Sequence, residues 1–207
     1  MTKIKICGLT SPKEAEWVRE QKVDFAGMVL FFPKSKRNIT PDRAAEIIKV
    51  LGDDIRKVAV VVSPTIEQIQ VLEGLHFDII QIHGRVAPEV VEKLTIPFWR
   101  AFHVKDMQEY QTYQSCGKCT GYVFDALTPG SGETFDWNLI PEFPKGDKIV
   151  LLAGGLAPEN VTEAIQHIHP DGVDVSSGVE FPSETFQKGK DPERIRAFVK
   201  AVRETVC

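Results

Sequence analysis

Short apolar runs alternate along the chain with longer stretches in which apolar residues recur every three or four positions. The runs at Lys3–Cys7, Asp24–Leu30, Lys57–Val62, Asp78–Ile82, Phe98–His103, Gly121–Asp125, Ile149–Ala153 and Gly172–Val175 predict strands. Several, such as "VAVVV" and "IVLLA", are apolar almost throughout, as parallel strands covered on both faces are. Helix starts lie between them. Ser11–Pro12 and Thr40–Pro41 each supply an N-cap followed by proline in the first turn, and "SPTIEQIQVL", "APEVVEKL", "APENVTEAI" and "KDPERIRAFVKAV" begin in similar fashion. After the sixth strand only "FDWNLIPEF" remains, and Pro141 and Pro144 limit it to a turn or two. Eight strands, seven crossovers and a terminal helix predict an α/β chain folded as one compact, single-domain (β/α)8 TIM barrel over 1–207. The alternative is an open, doubly wound sheet. No linker, low-complexity segment or internal repeat interrupts the pattern.

Composition narrows the function classes. The 207 residues are 43% hydrophobic and 26% charged, an ordinary balance for a globular chain large enough for a sizeable core. A net charge of -4 argues against a nucleic-acid partner or an anionic membrane surface, both of which favour a basic patch. No apolar run approaches the roughly 20 residues of a membrane span. The start of the chain lacks the basic, apolar and small-residue regions of a signal peptide. Cys7, Cys116, Cys119 and Cys207 are too few and too uneven for a disulfide scaffold, so a reducing, cytoplasmic setting is expected.

In a barrel of this kind chemistry gathers at the carboxyl ends of the strands. The first strand delivers Cys7, the fourth Gln81, His83 and Gly84, and the sixth Asp125. The seventh ends in Gly154 and Gly155, and the eighth in Ser176, Ser177 and Gly178. Glycine and small polar residues there let backbone amides approach an anion closely, and phosphate is the expected occupant; tight βα turns alone would also use these glycines. Cys7 and Asp125 then form a candidate proton-transfer pair. A thiolate is able to take a proton from carbon, and a carboxyl kept protonated by burial is able to donate one. Read singly, a strand-end cysteine also suits a small core position, and the aspartate a loop cap.

Taken together, "KICG", "RAF", "SGETFDW", "LAGGL" and "GVDVSSGVE", in this order and spacing, resemble the phosphoribosylanthranilate isomerase family along essentially the whole chain. The resemblance implies a cofactor-free (β/α)8-barrel enzyme without metal, acting on a phosphorylated small molecule in the third step of tryptophan biosynthesis from anthranilate. It implies Cys7 as general base and Asp125 as general acid of an Amadori rearrangement, and Arg37 as partner of the anthranilate carboxylate. A planar guanidinium suits that contact because its fork reaches both oxygens. Lys34 and Lys36 beside it read as a solvated loop face. His83, in a "QLHG"-like motif, is expected to line the pocket with Gln81, either touching substrate or fixing the loop.

Two stretches depart from the family pattern. "PGSG" (Pro129 to Gly132) replaces the usual Gly-Gly-Thr-Gly, and "FPSETFQKGK" lengthens the connection after the eighth strand. The related barrel isomerase of histidine biosynthesis fits less well. It uses an aspartate where Cys7 stands and needs a second phosphate site after strands three and four, where the loops here read "SPT" and "HGRVAP". "CGKC" (Cys116 to Cys119) would suit a zinc or redox pair in a non-enzymatic protein, but zinc needs two further ligands at suitable spacing. Whether the chain is a monomer or a homodimer is left open by sequence.

Overall fold

The computed structural model describes residues 1–103, 110–125 and 146–205. The "SGETFDW" and "PGSG" stretches, the short segment around Pro141 and Pro144, and Cys207 lie outside them. Eight parallel strands form the barrel: β1 (Lys3–Ile6), β2 (Phe25–Leu30), β3 (Arg56–Val62), β4 (Ile79–His83), β5 (Phe98–His103), β6 (Cys119–Asp125), β7 (Ile149–Ala153) and β8 (Gly172–Val175). Each pairs with the next, and β1 pairs with both β2 (Lys5 opposite Phe25) and β8 (Lys5 opposite Asp174), which closes the ring and excludes the open sheet. A two-residue strand, Asn38–Ile39, adds to the end of β2.

The helices are α1 (Pro12–Glu20), α2 (Pro41–Leu51), α3 (Ile66–Gly74), α4 (Pro88–Lys93), α5 (Tyr110–Gln114), α6 (Val161–Ile168) and α7 (Pro192–Glu204) among the described residues. The starts are chemically marked. Ser11, Thr40 and Thr65 each accept a bond from an amide of the first turn, and Asp191 caps α7 through Glu193 and Arg194. Such a cap stabilises a helix by about 1 kcal/mol.

Two strand starts fall one residue later than the sequence expectation for one physical reason. Asp24 and Asp78 precede their strands rather than beginning them, because each carboxylate accepts an amide of a neighbouring strand: Asp24 Oδ2 from Ile4 at 3.0 Å, Asp78 Oδ2 from Lys57 at 2.7 Å. Asp171 does the same for Val150, at 2.8 Å, before β8. Strand β6 begins two residues before Gly121, where a ladder irregularity at Phe98–Trp99 lets Cys119 pair. Gly121 itself is a packing point, since a Cβ there would lie 2.5 Å from Ile149 Cγ2 and 2.7 Å from the Trp99 ring.

Two apolar layers hold the barrel. Ile4, Ile6, Ile80, Ile82, Phe102 and Phe124 face the helices. The alternate residues Phe25, Val58, Ile79, Trp99, Val123 and Leu151 fill the lumen. Burying each aliphatic side chain contributes about 1.5–3 kcal/mol. Arg100, from the "RAF" motif, belongs to this scaffold: its Nη1 donates to the carbonyls of Ile82 (3.0 Å) and Ala101 (2.6 Å), and its guanidinium lies over Phe102.

Candidate active site

Because strand side chains alternate, the lumen residues continue upward into a polar ring at the carboxyl end. A cavity of about 420 Å³ opens there, and Cys7, Arg37, Gln81, His83 and Asp125 line it together with Gly154, Gly155, Ser176 and Ser177. The expected residues thus share one space, though they come from six strand ends; Gly178 is the exception and packs against Leu156 instead of lining the cavity. Asp125 closes β6, in register with His103 on one side and Ala153 on the other. A larger cleft, about 810 Å³, lies across Arg37 and holds neither Cys7 nor Asp125.

Cys7 follows β1, and its amide continues the ladder to Val175 O at 2.8 Å. Burial raises the thiol pKa above its ordinary value, against the lowering effect of the Lys5 charge. Lys5 lies two residues earlier on the same inward face, fully buried, with Nζ 2.8 Å from Asp174 Oδ2. Room for both comes from β2, where a Cβ on Gly27 would meet Cys7 Sγ at 2.8 Å and Lys5 Nζ at 3.1 Å.

The two anion-loop candidates pack on each other. Gly154 (φ 88°) and Gly155 (φ 64°) take left-handed backbone, which makes the turn after β7. Asn160 clamps that turn, donating to Gly155 O at 2.9 Å and accepting from Ala157 N at 2.8 Å. After β8 a 3-10 turn, Ser177–Val179, begins, and the leading amides of a helical turn have no acceptor within it. Gly178 lies under the β7 turn, where a Cβ would come 1.9 Å from Leu156 O. The Ser176 hydroxyl is occupied otherwise: it donates to Cys7 O at 3.0 Å and accepts from Lys190 Nζ at 3.2 Å.

Glu180 organises the cations. Arg37 Nε binds its Oε1 closely, Lys36 Nζ its Oε2 at 2.8 Å and Lys190 Nζ its Oε1 at 3.2 Å. Burial disfavours the carboxylate, but these donors outweigh it and hold the Glu180 pKa down at about 2. Among the described residues the Arg37 guanidinium is engaged through Nε alone, which keeps its terminal nitrogens for another partner. Lys36 is an exposed loop residue, as expected, yet joins this network.

His83 is neutral. Burial first, then the charges of Lys5 and Arg100 and the neighbouring His103, lower its pKa to about 3. Its Nε2 lies 2.9 Å from Gln81 Nε2, which fits an unprotonated ring nitrogen accepting from the amide. Cys119 is buried with its thiol pushed up to about 11, chiefly by desolvation. Lys148 Nζ ties down the carbonyls of Cys116 and Cys119 (2.9 and 2.5 Å), so this pair serves the packing of the β6 start. Among the described residues no cluster of His, Cys, Asp or Glu is arranged to hold a metal ion, and no helix is long and apolar enough to cross a membrane.

The sequence reading missed Lys5, Asn160, Lys190 and the role of Glu180. For Lys5 the signal was present: a lysine between Ile4 and Ile6 shares the face of Cys7 by period two. Lys190 and Glu180 carry no local signal, because their partners are distant.

A closed parallel barrel whose thiol, carboxyl and glycine-rich turns converge on one cavity at the carboxyl end has the architecture of a (β/α)8-barrel enzyme. The model of the N-(5'-phosphoribosyl)anthranilate (PRA) isomerase family matches residues 4–201. The chain belongs to this family. It is 39% identical over 208 residues to the N-(5'-phosphoribosyl)anthranilate isomerase of Geotalea uraniireducens, covering 98% of this chain and 99% of that protein. The phosphoribosyl anthranilate isomerase of Thermotoga maritima superposes with a TM-score of 0.85 at 36% identity, covering 98% and 99% of the two chains. A further structure of a phosphoribosyl anthranilate isomerase, in complex with reduced 1-(o-carboxyphenylamino)-1-deoxyribulose 5-phosphate, has a TM-score of 0.81 at 34% identity, with the same coverage.

Proposed function

We propose that Cys7 and Asp125 are the base and acid with which this aldose–ketose isomerase of tryptophan biosynthesis converts N-(5'-phosphoribosyl)anthranilate to 1-(2-carboxyphenylamino)-1-deoxyribulose 5-phosphate. The observation that carries this reading is the single cavity uniting Cys7, Asp125, Arg37 and the two small-residue loops. Asp125 protonates the furanose ring oxygen; the ring opens and leaves a Schiff base at the anilino nitrogen. That electron sink acidifies the adjacent sugar carbon, and the Cys7 thiolate removes its proton. The enolamine then tautomerises to the ketone. Each proton transfer contributes roughly 10²–10⁴-fold.

Arg37 takes the aryl carboxylate with the nitrogens that Glu180 leaves uncommitted. Amides around Gly154, Gly155, Ser177 and Gly178 take the phosphate. Neutral His83 with Gln81 forms a polar wall, not a second acid. The relative crystallised with the reduced carboxyphenylamino deoxyribulose phosphate supports a phosphorylated small-molecule substrate here. The test is turnover of freshly prepared phosphoribosylanthranilate, followed by loss of its fluorescence, in Cys7→Ser and Asp125→Asn. Each loses several orders of magnitude in kcat while still binding a product analogue, because the anion contacts remain. Wild-type turnover by a folded Cys7→Ser protein refutes the base assignment.

A further inference from the structure

Among the described residues Lys5 is the one fully buried lysine of the lumen, and neither acid, base nor substrate contact accounts for it. We propose that Lys5 is a positioning residue: an ammonium locked by Asp174 beside the Cys7 sulfur, where it stabilises the thiolate form of the base. The inference rests on the reading of Cys7 as base. Its geometry stands on three elements. On β1, Lys5 and Cys7 are two residues apart and point the same way. From β8, Asp174 Oδ2 lies 2.8 Å from Lys5 Nζ and fixes the lysine in place. From β2, Gly27 supplies no side chain, so the ammonium and the sulfur share the vacated space, a Cβ there lying 3.1 Å from Lys5 Nζ and 2.8 Å from Cys7 Sγ.

Stability alone does not explain the pair. Two charges at the centre of a barrel are expensive to desolvate, and well-packed apolar residues of similar volume are often as stable or more so. An ammonium beside a thiol that burial would otherwise keep neutral has a chemical use, since an opposite charge at such a distance favours the ionised form. Burial disfavours the Lys5 charge, yet Asp174 and Cys7 raise its pKa above the ordinary value, so Lys5 stays protonated. It therefore donates no proton in the cycle. Of the two, Cys7 exchanges the proton, as thiolate before the sugar carbon is deprotonated and as thiol after.

Among the described residues the groups facing the sulfur are few. Lys5 on β1 and Lys190 before α7 favour the thiolate, and Asp174 on β8 opposes it. His83 on β4 is neutral, while Arg37 after β2 and Asp125 on β6 line the same cavity. Lys190 is already engaged by Glu180 and the Ser176 oxygens, which leaves Lys5 as the dominant cation for Cys7.

The test reads the thiol rather than the reaction. Alkylation of Cys7 by iodoacetamide, scored on its peptide by mass spectrometry, gives a pH midpoint for wild type, Lys5→Arg and Lys5→Met. The midpoint rises by about one pH unit or more in Lys5→Met and stays near wild type in Lys5→Arg. The ascending limb of kcat/KM moves with it, so Lys5→Met loses about tenfold or more at neutral pH, regains activity in alkali and keeps its KM. Lys5→Met leaves Asp174 buried without its partner, so Lys5→Met/Asp174→Asn, which removes both charges, is measured for a rise in the same direction, smaller because the opposing Asp174 charge is gone as well. In the wild-type enzyme the 13Cε resonance of Lys5 shifts with the alkylation midpoint of Cys7. An unchanged midpoint in a folded neutral variant overturns the proposal, as does a Lys5 resonance indifferent to the thiol. The base assignment fails separately, through turnover by Cys7→Ser.

Discussion

Gly27→Ala tests how closely the thiol is held. Gly27 sits in the middle of β2, and its carbonyl accepts the amides of Gly8 and Leu9, both at 2.9 Å, just beyond Cys7. An added Cβ would lie 2.8 Å from Cys7 Sγ, 3.1 Å from Lys5 Nζ and 3.2 Å from Cys7 Cα. Ordinary carbon contacts are about 3.5–4.0 Å, so the sulfur must retreat by about 1 Å. The Cα is backbone and yields little. Overpacking of this kind costs about 1–3 kcal/mol. Alanine recovers about 0.5–1 kcal/mol of the entropic cost of a strand glycine, so the net loss of stability is modest. The effect on chemistry is larger, since a 1 Å misplacement of a reacting group is able to cost about 10²-fold. Steady-state turnover beside a denaturant melt is the assay. Expected are a kcat about 100-fold down and a KM within a few-fold of wild type, because Arg37 and the anion loops are untouched. A folded Gly27→Ala enzyme with kcat within about twofold of wild type refutes the claim that this sulfur position governs the reaction.

Arg37→Ala should weaken transition-state binding by about 2–5 kcal/mol, and Arg37→Lys should restore only part because the fork is lost; an unchanged kcat/KM in the alanine variant removes Arg37 from the site. Glu180 has its carboxyl pKa depressed from 4.5 to about 2, so its stabilising contribution is complete above pH 4.5 and disappears as pH falls towards 2. Acid titrations of thermal stability should therefore show less loss across that window in Glu180→Gln than in wild type, from a lower starting stability, and identical acid profiles would count against the network. Gly178→Ala forces the turns after β7 and β8 apart, because the new Cβ meets the Leu156 carbonyl at 1.9 Å. Inhibition by inorganic phosphate or a product analogue should weaken by about tenfold or more, in line with an overpacking cost of about 1–3 kcal/mol, whereas unaltered inhibition would place the phosphate elsewhere.

Much of the molecule was legible in order of residues alone. Continuous apolar runs such as "VAVVV" mark buried parallel strands, and Ser11, Thr40 and Asp191 mark helix starts, because both signals arise from contacts within a few residues. The strands at Phe98–His103, Ile149–Ala153 and Gly172–Val175 coincide with the runs that predict them. Cys7, Gln81, His83, Asp125, Gly154 and Ser176 could be placed at one end of a barrel once the strands were read, since strand direction puts all carboxyl ends together. The extra pairing at Asn38–Ile39 and the aspartates that cap neighbouring strands were not legible, because each depends on a strand more than a few residues away.

Only closure of the barrel decides the rest. Lys5 and Asp174 are 169 positions apart and meet because β1 lies between β2 and β8, in a register that pairs them directly. Gly27 matters for what it withholds, a side chain where Lys5 and Cys7 need space, and nothing near it in the chain records that. Arg37 and Glu180, 143 residues apart, join across the rim once the β8 connection reaches the loop after β2. Local sequence determines which elements form and which way their side chains alternate. Register and closure determine which buried charges become neighbours, and in a low-dielectric lumen those neighbours set the chemistry of the thiol.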